Sequence, residues 1–462
     1  MSPSIESDHR GSKSITMAEE ENNDQENTTH KGNEADENND SYSSDDDTYK
    51  DEEDDSSDHD DDAIASAELK RKKKKALLQF RCRLEDAILG NYLLGKPKKN
   101  LSKEESAKQK EKLREITLWD VPLLPSKGHE GTDILLLKFL KARDFKVTDA
   151  FEMLRKTLKW RNEYKADEIL DEKLGSNVDS LLYLKGKDKE GRPLFFTVYG
   201  ALKDKELYKK TLGSEDKCNE FLRSRIHYME KGIKKLNFKN GGVDSIVQIT
   251  DLKNSPGPAM KELRSVSKRA FALVQNNYPN FIHKNVIINA PLWYYASHTI
   301  HSKLLSPKTR KKFVFARPSK AKKTLLRYIA PENLPVEYGG FNREKDEDFS
   351  PADESSELII RANSCCSIKF PVAEAGSTLV WDITVVGSDV SYMEEFVPDD
   401  EGSYKIQLQK QKKLRESVRN SFYISEPGKI VITFENGTFN KKKVFYRSKA
   451  KPTIPMSIFF KN

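Results

Sequence analysis

From Asn277 to Phe315 the chain carries residue types that could capture a charged amphiphile without making or breaking a bond. Val286 to Ile288 read as a buried strand, β-branched and continuous, with Lys284 before it and Pro291 after it. Trp293, Tyr294 and Tyr295 then open a helix-length segment, and the basic run Lys308 to Lys312 leads into a second strand, Phe313 to Phe315. A strand, an aromatic amphipathic helix and a basic strand edge suit a pocket for an acyl chain with an anionic head. The same pattern also fits an ordinary α/β core with a charged turn.

Covalent chemistry finds little support. The sequence shows no nucleotide-binding loop, zinc motif or nucleophile elbow, and its eight His are scattered. His227, His283, His298 and His301 read as surface or hydrogen-bonded residues, and neither an enzyme nor a metal site is expected. Cys82, Cys218, Cys365 and Cys366 form no ligand or disulfide framework, which fits a cytoplasmic protein. No apolar run approaches the roughly 20 residues that cross a bilayer, so membrane contact would be peripheral.

The positioning elements follow from composition and period. A net charge of +7 conceals a division: residues 1–62 carry 23 Asp/Glu against 4 Lys/Arg, leaving +26 for the remainder. A segment so acidic and so poor in large apolar residues cannot offset its chain entropy, and residues 1–66 are expected to be a disordered tail. A basic connector, residues 67–118, follows. In it Lys70 to Lys75 precede a helix with Leu77, Phe80, Leu84 and Ile88 at near-helical spacing. This reads as a membrane-surface element, a nuclear-import signal or a solvated helix.

Residues 119–175 read as a helix pair broken at Asp144 to Lys146. Residues 176–341 alternate strands with helices, which implies parallel pairing. The acid- and Pro-rich stretch 342–354 reads as a linker. Residues 355–452 carry short alternating strands separated by Gly, Pro or Asn, the pattern of a β-sandwich.

The blocks LLKFLKARDFKV (Leu136 to Val147 with its neighbours), GRPLFF (Gly191 to Phe196), Asn277 to Pro291 and APENLPVEYGG (Ala330 to Gly340) resemble the CRAL-TRIO lipid-binding family. Trp381-Asp382 and the closing stretch from Asn420 to Ala450 resemble the GOLD domain, and the whole arrangement is similar to the plant patellins. The resemblance implies a multidomain fold: a helical subdomain and α/β CRAL-TRIO domain, then an all-β GOLD sandwich. It also implies a gate at Trp293, Tyr294 and Tyr295 over a dry cavity. Lipid head-group residues carry over to Arg143, Thr309 and Lys312. Asn280 stands where the yeast relative has a Glu, and an amide brings no charge to pair with a cation.

The implied activity is phosphoinositide binding and transfer at membranes, in membrane trafficking and cell-plate formation at cytokinesis. The only ligand expected is the bound phospholipid, with no further cofactor. Expected partners are an anionic membrane surface, phosphoinositides and proteins meeting the GOLD domain, and no nucleic acid. The alternative is a membrane-recruited adaptor with a vestigial pocket. Lys441, Lys442, Lys443 and Arg447 form a second basic stretch, either a membrane-docking patch or a hairpin edge protected by charge.

Overall fold

The computed structural model describes residues 59–95, 102–173, 178–255, 261–291, 294, 307–387 and 390–452; side chains of 59–66 and 308 are not described. The expected tail lies almost wholly outside the described residues, as do Trp293 and Tyr295 of the expected gate. Residues from Asp62 onward form one compact unit.

Helices α1 (His59–Leu89) and α2 (Lys103–Arg114) precede a small hairpin of β1 (Thr117–Leu118) and β2 (Val121–Pro122). Helix α1 begins before the basic run and contains it, while Phe80, Leu84, Ala87 and Ile88 are buried. Its apolar stripe therefore packs inward and leaves the lysines to solvent. The expected helix pair is α3 (Glu130–Ala142) and α4 (Val147–Tyr164). Its turn is sharp because Asp144 and Phe145 both adopt positive φ, 48° and 61°.

The α/β region contains β3 (Leu182–Lys187), β4 (Pro193–Val198), α5 (Lys205–Leu212), α6 (Glu215–Ile233) and β5 (Ile246–Asp251). It continues through α7 (Lys261–Asn277), β6 (Ile282–Ile288), α8 (Pro307–Arg310), β7 (Phe313–Phe315) and α9 (Ala321–Tyr328). Strand order is β3-β4-β5-β6-β7, antiparallel at β3/β4 and parallel beyond. Strand β5 is buried at every position, as expected for a parallel strand covered on both faces. Gly200 lets the chain leaving β4 press against the loop after β5. A Cβ there would sit 1.9 Å from the Lys253 carbonyl oxygen, so only glycine fits.

The sandwich comprises β8 (Ser356–Ile360), β9 (Ser364–Val372), β10 (Ser377–Val386), β11 (Val390–Pro398), β12 (Ile406–Lys413), β13 (Val418–Ile424), β14 (Gly428–Asn436) and β15 (Lys442–Pro452). Its two antiparallel sheets have the orders β13-β10-β15-β8 and β12-β11-β14-β9. Burial alternates along β11 and β14, so Tyr392, Phe396, Ile430, Ile432 and Phe434 meet Trp381 and Ile383 in the middle.

Residues 342–354 are no loose spacer. Asp346 accepts both Nη atoms of Arg419, at 2.6 and 2.8 Å, and Phe349 stacks under Arg419 and Arg447. Desolvation raises the Asp346 carboxyl, but Arg419 and the amides of Phe349 and Asp348 hold it well below the usual carboxylate range. The sandwich also joins the α/β core, where Phe445 packs with Leu325, Leu334 and Phe341, and Thr384 Oγ1 donates to the Gly339 carbonyl at 2.9 Å.

Candidate functional site

At the N-terminal ends of β6 and β7, three elements converge. The loop after α7 turns at Asn280, whose φ of 53° lies in the left-handed region that Asn tolerates better than Glu. Lys312, entering β7, donates from Nζ to Asn280 Oδ1 at 2.6 Å and to the Ile282 carbonyl at 2.9 Å. Its backbone N–H donates to the Thr309 carbonyl at 3.1 Å. The expectation for Asn280 needs correcting on one point. The amide cannot form an ion pair, but its oxygen dipole does hold the Lys312 ammonium.

The third element is α3, through a residue the sequence reading missed. Lys138 is 1% exposed, and its Nζ lies 3.1 Å from Asp244 Oδ2, 3.4 Å from the Asn280 carbonyl and 4.6 Å from the Phe281 ring centroid. Desolvation pushes its ammonium down to about 8 against the pull of Asp244, and repulsion from Lys141 and Lys312 adds to the shift. Lys141 and Lys312 thus lie close enough to repel Lys138, and among the described residues the half-exposed Asp244 is the carboxylate paired with it. Lys138 follows Leu135 and Leu136 and precedes Phe139 and Leu140, all buried. A lysine inside that apolar stripe was the available signal.

Arg143 does not join this cluster directly. It ends α3 half-buried, with Nη1 donating to the carbonyl of Ala142 at 3.0 Å. Of the expected gate, Tyr294 is described: it is half-buried, 6.1 Å from the Phe315 ring, and burial pushes its hydroxyl up to about 12.

A small cavity lies between the sheet and the helices α6 and α7. Phe195, Leu222, Ile226, Met229, Ala270 and Leu273 line a cavity of about 10 Å³, with Arg225 and Gln248. That holds roughly one water, and an acyl chain would need far more. The cavity expected under the gate adjoins Trp293 and Tyr295, which lie outside the described residues.

The second basic stretch separates into parts. Arg447 is 5% exposed, with Nε donating to Asp382 Oδ2 at 2.9 Å and Nη2 to the Phe341 carbonyl at 3.3 Å. It is an interior residue and is removed from the membrane-surface patch, since a guanidinium consumed by a buried carboxylate cannot face lipid. Lys443 Nζ lies 2.7 Å from Glu357, Lys441 is exposed and Lys442 is half-buried. No group of three or more His, Cys, Asp or Glu able to hold a metal occurs among the described residues, nor any helix long and apolar enough to cross a membrane.

Comparison with known proteins shows the family. The sequence matches the CRAL/TRIO N-terminal domain over residues 96–156, the CRAL/TRIO domain over 177–340 and the Patellin-1-like C-terminal GOLD domain over 361–443. Patellin-4 of Arabidopsis thaliana is 48% identical over 341 residues, 73% of this chain and 62% of that protein. Patellin-3 of the same plant is 43% identical over 345 residues, 73% of this chain and 70% of that protein. Among solved structures, Sfh5 shows 22% identity and a TM-score of 0.46 over 59% of this chain and 89% of that one, a likeness too loose to argue from. The chain belongs to the patellin family, with a two-part CRAL/TRIO domain of the lipid-binding type followed by a GOLD sandwich.

Proposed function

We propose that the protein binds an anionic phospholipid, in the first place a phosphoinositide, and presents or transfers it at membranes. The observation that carries this reading is that Lys138 and Lys312 both reach Asn280, with Lys141 near enough to repel Lys138. Cations forced together at a domain edge favour an incoming phosphate, which relieves their mutual repulsion. No covalent step is required. Gate opening at a bilayer, acyl burial worth about 0.8 kcal/mol per CH₂, and phosphate capture suffice. The setting we propose is vesicle traffic, including cell-plate formation at cytokinesis, with the protein cytoplasmic and held peripherally by its basic surfaces. Protein partners would meet the GOLD sandwich.

One observation favours a second reading. The cavity lined by Phe195, Leu222 and Met229 has a volume of about 10 Å³, which favours an adaptor that tethers without carrying. Transfer of pyrene-labelled phosphatidylinositol phosphate between vesicles separates the two. A carrier moves the probe in proportion to protein, and Lys312→Glu slows it by about tenfold or more. Tethering without any transfer would reject the carrier reading.

A further inference from the structure

Helix α6 holds a buried charge with no opposite charge paired to it among the described residues. Arg225 is 8% exposed, on the face that also presents Phe221, Leu222, Ile226 and Met229. Its Nη1 donates to Thr197 Oγ1 at 3.2 Å and, weakly, to the Tyr199 hydroxyl at 3.4 Å. Its Nε is buried with no hydrogen-bond partner. Among the described residues no carboxylate pairs with it, whereas the buried Arg161 and Arg447 have Glu230 and Asp382. The segments of this domain outside the described residues, 174–177, 256–260, 292–293 and 295–306, contain no Asp or Glu at all.

A lysine so placed could shed its proton, but a guanidinium stays charged and must find an anion or water. Arg225 faces the small cavity, and the sheet opposite is unusually polar for a packed face: Thr197, Gln248 and Thr250 are all buried there. Thr197 and Tyr199 lie at the C-terminal end of β4, beside Thr250 and Asp251 of β5. Open α/β sheets generally bind ligands at the C-terminal ends of their parallel strands. Asn280 and Lys312 stand at the other ends, before β6 and β7.

We propose that Arg225, with the hydroxyls of Thr197 and Tyr199, is an internal anion seat, separate from the Asn280 and Lys312 cluster. It would take the phosphate or carboxylate of an amphiphile whose chain displaces Leu222, Met229 and Leu273 from the cavity. A single guanidinium fork with two hydroxyls matches a compact monoester or carboxylate and leaves a neutral head unrecognised. The seat rests on the lipid-binding reading above.

The test uses the full chain and two pyrene-labelled probes with identical acyl chains, phosphatidic acid and diacylglycerol. The parent should bind phosphatidic acid at least about tenfold more tightly. Arg225→Met should bring the two together by weakening only the phosphatidic acid, and Arg225→Lys should fall between. Reading the same ratio in a Lys312→Met background keeps the other cluster from masking the effect. Millimolar inorganic phosphate that displaces the anionic probe from the parent, but not from Arg225→Met, would assign the seat to a free anion. Failure to displace assigns it to a lipid head.

An Arg225→Met chain that keeps the parent's preference overturns the seat alone, while a parent that binds neither probe and no phosphatidylinositol phosphate overturns the lipid-binding reading itself. The ligand-free variant should melt no lower than the parent. If Arg225→Met and Arg225→Lys both melt several degrees lower, Arg225 is a structural residue and the proposal fails.

Discussion

Two buried arginines of this chain live in opposite electrostatic settings. Arg447, in the sandwich, lies against the Phe349 ring at 4.2 Å and gives its Nε to Asp382, a carboxylate with no exposure at all. Asp382 also accepts Arg343 and Arg419 at 2.8 to 2.9 Å, so its lone pairs are fully engaged. Arg225, in the α/β domain, has two hydroxyls, the Phe195 ring at 5.8 Å and an Nε with no hydrogen-bond partner among the described residues. A buried charge with its own counter-charge secures a fold, while one without a counter-charge waits for something from outside. The sandwich is thus locked to residues 342–354 by its own ions, and the lipid domain keeps an open electrostatic account.

The comparison can be broken most forcefully at Asp382. Asp382→Ala strands Arg343, Arg419 and Arg447 together in a largely dry interface, and should cost about 3–5 kcal/mol in denaturant unfolding. A loss near zero would mean that Asp346 or water replaces the carboxylate and that the lock is not electrostatic. Arg225→Met sharpens the contrast from the other side, with no expected loss of stability in the same measurement.

Lys138 tests an intermediate case, a buried cation with one partner. Its folded value of about 8 lies below the ordinary lysine value of 10.5, so the unfolded chain binds the proton more tightly. Stability should therefore rise with pH between about 8 and 10.5, by up to about 3 kcal/mol, and the cost of burying the charge persists in full below 8. Asp244, whose value is lowered, titrates near the acid end and does not disturb that window. In Lys138→Met the rise should vanish. An identical alkaline slope in both chains would show that Lys138 is not the group responsible.

The smallest effect is expected at the exposed end of β15. Replacing Lys441, Lys442 and Lys443 with Ala should weaken binding to phosphoinositide liposomes mainly at low salt. Each cation near an anionic leaflet is worth about 1 kcal/mol, and Lys443 is already partnered by Glu357. Unchanged binding at low salt would leave this stretch as a solubility device.

Much of the fold was legible because period and residue type agreed. The β-branched runs within Ile246–Asp251 and at Val286 to Ile288, and the alternation along Gly428–Asn436, announce their strands, though β6 begins four residues earlier, at Ile282. Two strands escaped notice where charge hides the pattern. Val390–Pro398 carries Glu394 facing inward, with no exposure, accepting Trp381 Nε1 at 3.0 Å. Lys442–Pro452 is so rich in Lys that it reads as solvated, yet it lies between β10 and β8.

The candidate site failed in the same way. The sequence of helix α6 is dense in charge, but Phe221, Leu222, Arg225, Ile226 and Met229 share one buried face. Lys138 hid in the stripe of α3. A cation occupying an apolar position in a helical stripe is readable in sequence, while its counter-charge is set by tertiary contacts that spacing does not encode.

Mass spectrometry of the lipids retained by the purified full chain bears most directly on the central claim. An anionic phospholipid, near one per chain in the parent and depleted when Lys312 and Arg225 are both replaced by Met, is the predicted result. A parent chain that retains no lipid, and takes up none from phosphoinositide vesicles, would contradict it.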